Sequence, residues 1–108
     1  LLRNAKESLT EVADRNDRKI VLSLIEDSSD KNIIIKIQDN GIGILKKNLK
    51  KIFSLGFTTK PGGHGLGLHM SAISAQEVGG NLSVASKGRE EGATFILTLP
   101  KVKAESGL

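Results

Sequence analysis

The 108-residue chain contains no cysteine, and its only aromatic residues are three phenylalanines. The first absence excludes disulfides and thiolate metal sites. The second argues against an aromatic platform for single-stranded nucleic acid, so no nucleic-acid partner is expected. His64 and His69 stand five positions apart with no carboxylate pair nearby, a poor start for a zinc site. No apolar run approaches the roughly 20 residues that span a bilayer. Nothing at the N-terminus resembles a signal peptide, and no direct membrane contact by this domain is expected.

What is present suits one small soluble domain, with 38% hydrophobic and 26% charged residues. A chain of this length buries one modest core and has little stability to spare. The net charge of +4, part of it in Lys46, Lys47, Lys50 and Lys51, suits an anionic ligand or partner. Leu2, Ala5, Leu9 and Val12 recur at helical spacing with no cap before Leu1, so the chain reads as entering inside, or just before, a helix that runs to Ala13.

Two alternating segments follow, Lys19 to Glu26 and Asn32 to Asp39, joined by the turn-forming run Asp27, Ser28, Ser29 and Asp30. In the first, Ile20, Leu22 and Leu24 share a face; in the second, Ile33, Ile35 and Ile37 do. Lys46 to Phe53 reads as a short helix. Leu66 to Val78 reads as a longer one, with Leu66, Met70 and Ile73 on its apolar face and Gly79-Gly80 as its stop. Leu82 to Ser86 and Ala93 to Leu99 close the pattern as strands, with Pro100 ending the last. Hairpins at both ends with helices between them predict an α+β two-layer sandwich: a mixed, mostly antiparallel sheet with helices on one face. Residues 1–101 are expected to form this domain, and 102–108 a disordered tail.

Asp39 is the most informative residue. Alternation after Ile33, Ile35 and Ile37 aims its carboxylate at the apolar side, where an ionised group needs donors. A strand-ending cap would explain an isolated Asp-x-Gly equally well. Here Gly41 and Gly43 follow, and a second cluster lies downstream, Gly62-Gly63-His64-Gly65-Leu66-Gly67-Leu68, directly before the stronger helix. A buried acceptor beside bare backbone suits the amino edge of adenine, whereas guanine presents a carbonyl oxygen there. Glycines before a helix start allow N–H groups and the positive dipole end to approach phosphate. The cluster is neither a dinucleotide fingerprint, since no strand leads directly into it, nor a Walker A loop, since no Gly-Lys-Ser/Thr follows. Between the clusters, Phe53 and Phe57 read either as core anchors or as parts of a lid with glycine hinges, from which Lys51 or Lys60 could reach phosphate. Asn4, near the buried face of the first helix, is either a hydrogen-bonded core residue or a ligand for Mg2+ beside phosphate oxygens and waters.

In this order the segments resemble the ATP-binding domain shared by gyrase, HSP90-type chaperones, sensor histidine kinases and MutL, with its Bergerat-type fold. Asn4-Ala5 resembles the asparagine box. Asp39-Asn40-Gly41-Ile42-Gly43-Ile44 resembles the first glycine box, and Gly63 to Leu68 the second. Ile52-Phe53 through Phe57-Thr58-Thr59-Lys60 resembles the phenylalanine box, and Gly92-Ala93-Thr94-Phe95 to Leu99-Pro100 the closing strand. The Phe-Thr-Thr-Lys sequence and the closing Leu-Pro resemble the bacterial sensor histidine kinase branch.

The resemblance implies ATP and Mg2+ as cofactors, with Asn4 holding the metal and Asp39 reading adenine. It implies a nucleotide site of Asn4, Asp39, Gly41, Gly43, Ile44, Phe57, Thr58, Thr59, Lys60, Gly63, His64, Gly65, Leu66, Gly67 and Leu68. It further implies phosphoryl transfer to a histidine on a separate dimerisation domain of the parent protein, a response regulator downstream, and a cytoplasmic location. Neither His64 nor His69 is the acceptor, since both stand in or beside the phosphate-binding segment. The chain departs from the pattern at Gly56, where a second phenylalanine is frequent, and at Ala93, where a threonine is frequent. Thr94 falls on the opposite face by alternation and is left out of the site. The competing readings are an ATP-hydrolysing conformational module of the gyrase or MutL type, marked by a glutamate four residues before Asn4, and a non-enzymatic module with a degenerate pocket.

Overall fold

The computed structural model describes residues 1–12, 16–27, 31–58 and 67–101. The described elements are α1 (Leu2–Thr10), β1 (Ile20–Glu26), β2 (Asn32–Asp39), α2 (Lys46–Leu49), α3 (Gly67–Glu77), β3 (Asn81–Ala85) and β4 (Ala93–Pro100). The strands form one sheet in the order β1-β2-β4-β3, and all three pairings are antiparallel. The expected two-layer α+β arrangement is therefore present. The 102–108 tail lies outside the described residues.

The registers define the inner face. Leu22 is opposite Ile37, Ile37 is opposite Phe95, and Phe95 is opposite Val84. Paired residues point the same way. Ile20, Leu22, Leu24, Ile33, Ile35, Ile37, Asp39, Ala93, Phe95, Leu97, Leu99, Leu82 and Val84 thus share one face. α1 packs over β2, and α3 over β3 and β4. The core gathers Ile37, Phe95, Leu82 and Ala93 from the sheet, with Ala5, Val12, Ile52 and Ala75 from the covering elements. Phe53 meets Phe95 edge to face, with ring centroids 6.2 Å apart and planes at 81°, a geometry that aromatic quadrupoles favour.

Three expectations need adjustment. α1 ends at Thr10 rather than continuing; the Thr10 hydroxyl bonds back to the Lys6 carbonyl at 3.0 Å, a competitor for helical backbone bonding. α2 closes after Leu49, and the chain continues to Phe57 through i→i+3 bonds, Lys51 to Asn48, Ser54 to Lys51 and Phe57 to Ser54. Met70 is exposed rather than core; α3 instead buries Ala75 against the sheet. At the outer edge, Leu22 and Leu24 of β1 remain 61% and 73% exposed despite lying on the inner face. The two helices cover β2, β3 and β4, and β1 lies beyond them.

The far end of the sheet is tied by Lys101, whose Nζ meets Glu26 Oε2 at 2.7 Å while its N–H donates to the Lys31 carbonyl. Glu26 is largely exposed, so Glu26→Gln is expected to cost under about 1 kcal/mol in urea titration. The difference from wild type should shrink at 1 M salt, where screening is nearly complete.

Candidate functional site

The site begins where β2 ends. Asp39 is the one buried charged residue among those described, 8% exposed. It stands between Ile20 of β1 and Ala93 of β4. Strand alternation turns its side chain to the face that α1 covers. The donors such a carboxylate requires are both found at Oδ1. The Gly41 N–H donates at 2.9 Å and the Ser8 hydroxyl at 3.2 Å. Among the described residues these are the donors to Asp39, and no side-chain oxygen of the site is sealed without a partner. Both donors therefore converge on Oδ1, which ties the carboxylate to α1 and to the turn after β2.

Ser8 was not picked out by the sequence patterns. Its hydroxyl also accepts the Ile42 N–H at 3.0 Å, so one side chain joins α1 to the strand end and to the turn after it. The available signal was its position one helical turn beyond Asn4, on the same helix face. Asn4 is half-buried on that face and makes a polar interaction of its own.

The turn itself is clasped by the β3–β4 connection. The N–H groups of Glu90 and Gly92 donate to the carbonyls of Ile42, at 2.5 Å, and Gly41, at 3.2 Å. The Ser86 hydroxyl donates to the Gly92 carbonyl at 2.6 Å and accepts the N–H of Ile44 at 3.0 Å and of Gly88 at 3.2 Å. Gly41 has no room for a side chain, because a Cβ would collide with Ser8. Gly43 combines a φ of +75° with contact to the Gly88 carbonyl, a conformation and an approach that suit glycine alone. On the other flank, Asn40 accepts the Lys19 N–H at 2.8 Å and donates to the Asp17 carbonyl at 2.7 Å.

Of the other predicted residues, Phe57 is half-buried and Thr58 exposed, and both lie in the segment after α2. Gly67 and Leu68 open α3, where Gly67 is exposed. His69 follows them and donates from Nδ1 to the Phe53 carbonyl at 3.0 Å, tying the start of α3 to the phenylalanine segment. Thr59, Lys60, Gly63, His64, Gly65 and Leu66 lie outside the described residues. Thr94 stands opposite Gln38 on the outer face of the sheet, away from Asp39. An apolar groove of about 400 Å³, lined by Leu1, Met70, Val78, Leu97 and Leu99 among others, lies at the other end of the inner face. It is separate from this site.

The fold and the Asp39 turn together define an α+β domain with a carboxylate presented at the sheet end. Residues 1–103 match the family of histidine kinase-, DNA gyrase B- and HSP90-like ATPases, and the chain belongs to it. Among curated relatives it is 37% identical to the sensor protein CitS of Halalkalibacterium halodurans, over 99% of this chain and 19% of the relative. It is 36% identical to the sensor protein TdiS of Thauera aromatica, over 93% of this chain and 18% of the relative. The chain thus spans about a fifth of the length of these proteins. Among solved structures it resembles the catalytic domain of histidine kinase ThkA, with a TM-score of 0.74 and 28% identity over 94% of this chain and 63% of that one. The mycobacterial sensor histidine kinase MprB shares the fold, with a TM-score of 0.76 at 24% identity over 92% of this chain and 64% of that one. The relatives are named as sensor proteins and, for ThkA, as a histidine kinase, which does not favour the gyrase or MutL type of module. No described helix is long and apolar enough to cross a membrane.

Proposed function

We propose that this domain binds ATP with Mg2+ and presents the γ-phosphate to a histidine on a separate dimerisation domain of its parent, a sensor histidine kinase acting in the cytoplasm. A response regulator would receive the phosphoryl group next. The observation that carries the reading is Asp39, a buried carboxylate at the end of β2 with Oδ1 held by two donors; its Oδ2 would be the oxygen that meets the base. An acceptor so held pairs with the exocyclic amino group of adenine and repels the carbonyl of guanine.

The remaining roles follow the chain. Residues 1–101 form the nucleotide-binding unit. Gly41, Gly43 and Ile44 shape the turn beside the base. Phe57, Thr58, Thr59 and Lys60 close over the nucleotide. Gly63, His64, Gly65 and Leu66, with Gly67 and Leu68 at the start of α3, embrace the phosphates. Mg2+ asks little of the protein, keeping waters and phosphate oxygens as most of its shell. A single amide oxygen from Asn4, one turn before Ser8 on the helix face that meets Asp39, fits that demand. Bound there, the metal would supply neutralisation of the triphosphate charge. Catalysis by this chain is then positioning and electrostatic stabilisation, with the nucleophile arriving from the partner domain.

The test is a titration of the chain with a non-hydrolysable ATP analogue. Saturable binding is expected, weakened about tenfold when Mg2+ is chelated, about 1.4 kcal/mol. Asn4→Ala should flatten that metal dependence. With ATP itself, the chain should bind yet turn over very slowly. Rapid steady-state hydrolysis would count against the kinase reading, and no detectable binding would leave a degenerate recruiting module.

A further inference from the structure

We propose that Ser8 is a positioning residue for base recognition: its hydroxyl sets the plane of the Asp39 carboxylate and so determines how sharply the pocket distinguishes an exocyclic amine. This rests on Asp39 being the adenine acceptor. The inference comes from a three-way contact that spans the chain. The Ser8 O–H donates to Asp39 Oδ1, 31 positions away in sequence, and its oxygen accepts the Ile42 N–H, 34 positions away. A hydroxyl has one proton to donate and two lone pairs, so both roles are filled at once.

The terminal torsion of an aspartate is soft, with a broad distribution of carboxylate planes. The Gly41 N–H alone fixes one distance to Oδ1. A second donor on the same oxygen, arriving from another element, restricts rotation about the Cβ–Cγ bond. Oδ2 is then held in one direction before any ligand arrives, which is how preorganised acceptors gain affinity and discrimination. The seat of Ser8 is itself rigid. Gly41 packs so closely on α1 that a Cβ there would meet the Ser8 backbone and hydroxyl, and the neighbouring Ala5 is buried.

The experiment compares two nucleotides on the 108-residue chain: ATP, and purine riboside triphosphate, which lacks the exocyclic amine. Ser8→Ala is expected to weaken ATP binding about fivefold, the worth of one well-placed hydrogen bond. Purine riboside triphosphate should be affected by less than about twofold, because it offers Asp39 no amine to pair with. If both nucleotides weaken by the same factor, Ser8 merely supports the fold and the proposal is overturned. If the preference for ATP is undiminished, it is overturned as well, while the nucleotide-binding reading stands. A wild-type chain that binds neither nucleotide overturns both. Should Ser8→Ala fail to fold by circular dichroism, Ser8→Cys, which keeps the size with a poorer donor, carries the same pair of titrations and the same criteria.

Discussion

Replacing Asp39 by asparagine is expected to lower affinity for an ATP analogue tenfold or more, at least about 1.4 kcal/mol, while leaving the fold in place. The amide oxygen of the introduced asparagine can still accept the Gly41 N–H and the Ser8 hydroxyl that now converge on Oδ1. The cost to stability should therefore stay within about 1 kcal/mol in urea titration. What changes is the outward atom. An amide presents an NH2 where the carboxylate presents Oδ2, and that NH2 faces the adenine amine donor to donor. The same NH2 suits the guanine carbonyl, so the preference for ATP over GTP should narrow alongside the loss. Calorimetric titration of both nucleotides, with urea unfolding as the control, separates the two effects. Unchanged ATP affinity in a folded Asp39→Asn variant would sink the assignment of Asp39 as the base reader.

The aspartate was legible in the sequence because strand alternation is a strict rule. Once Ile33, Ile35 and Ile37 were placed on one face, Asp39 had to follow them, and the observed β2 has the predicted bounds. The same rule put Thr94 on the outer face, where its register with Gln38 places it. The terminal hairpins were legible from their turns. The junction of β2 with β4 was not: it joins residues some sixty positions apart, and no local pattern encodes it. Ser8 was hidden for a related reason. A small polar residue in a helix carries no periodic signal, and both of its partners lie more than thirty positions away. α2 was overread because Lys46 to Phe53 has a plausible helical spacing, yet no side chain caps its start. Four residues of helix do little to repay nucleation, and the chain falls into successive tight turns. Met70 was overread because spacing alone does not say which way a helix faces; the small Ala75 lets α3 sit close to the sheet, and Met70 is left outside.

Gly92→Ala is expected to be the most destabilising of the substitutions considered, on the order of 3 kcal/mol, and to abolish nucleotide binding with the fold weakened. Gly92 holds a φ of +70°, and a Cβ there would run into the Asp39 carbonyl and approach the Asn40 Cα to 2.9 Å. Both neighbours are backbone and cannot swing aside. Relief would require the end of β2 to shift, which strains the Gly92 N–H bond to the Gly41 carbonyl and the Ser86 hydroxyl bond to the Gly92 carbonyl. Those bonds hold the turn against which Asp39 is set. Gly56→Ala supplies the comparison, since Gly56 has a φ of +82° but nothing within 4 Å of a new Cβ. It should cost only the conformational term, about 1–2 kcal/mol. In urea, with a slope of about 1–3 kcal/mol per molar for a domain of this size, the Gly92 variant should unfold at a distinctly lower midpoint than the Gly56 variant. Equal midpoints would mean that the β3–β4 connection yields freely to the intruding methyl. The clasp would then be a passive neighbour of the Asp39 turn rather than what holds it in place.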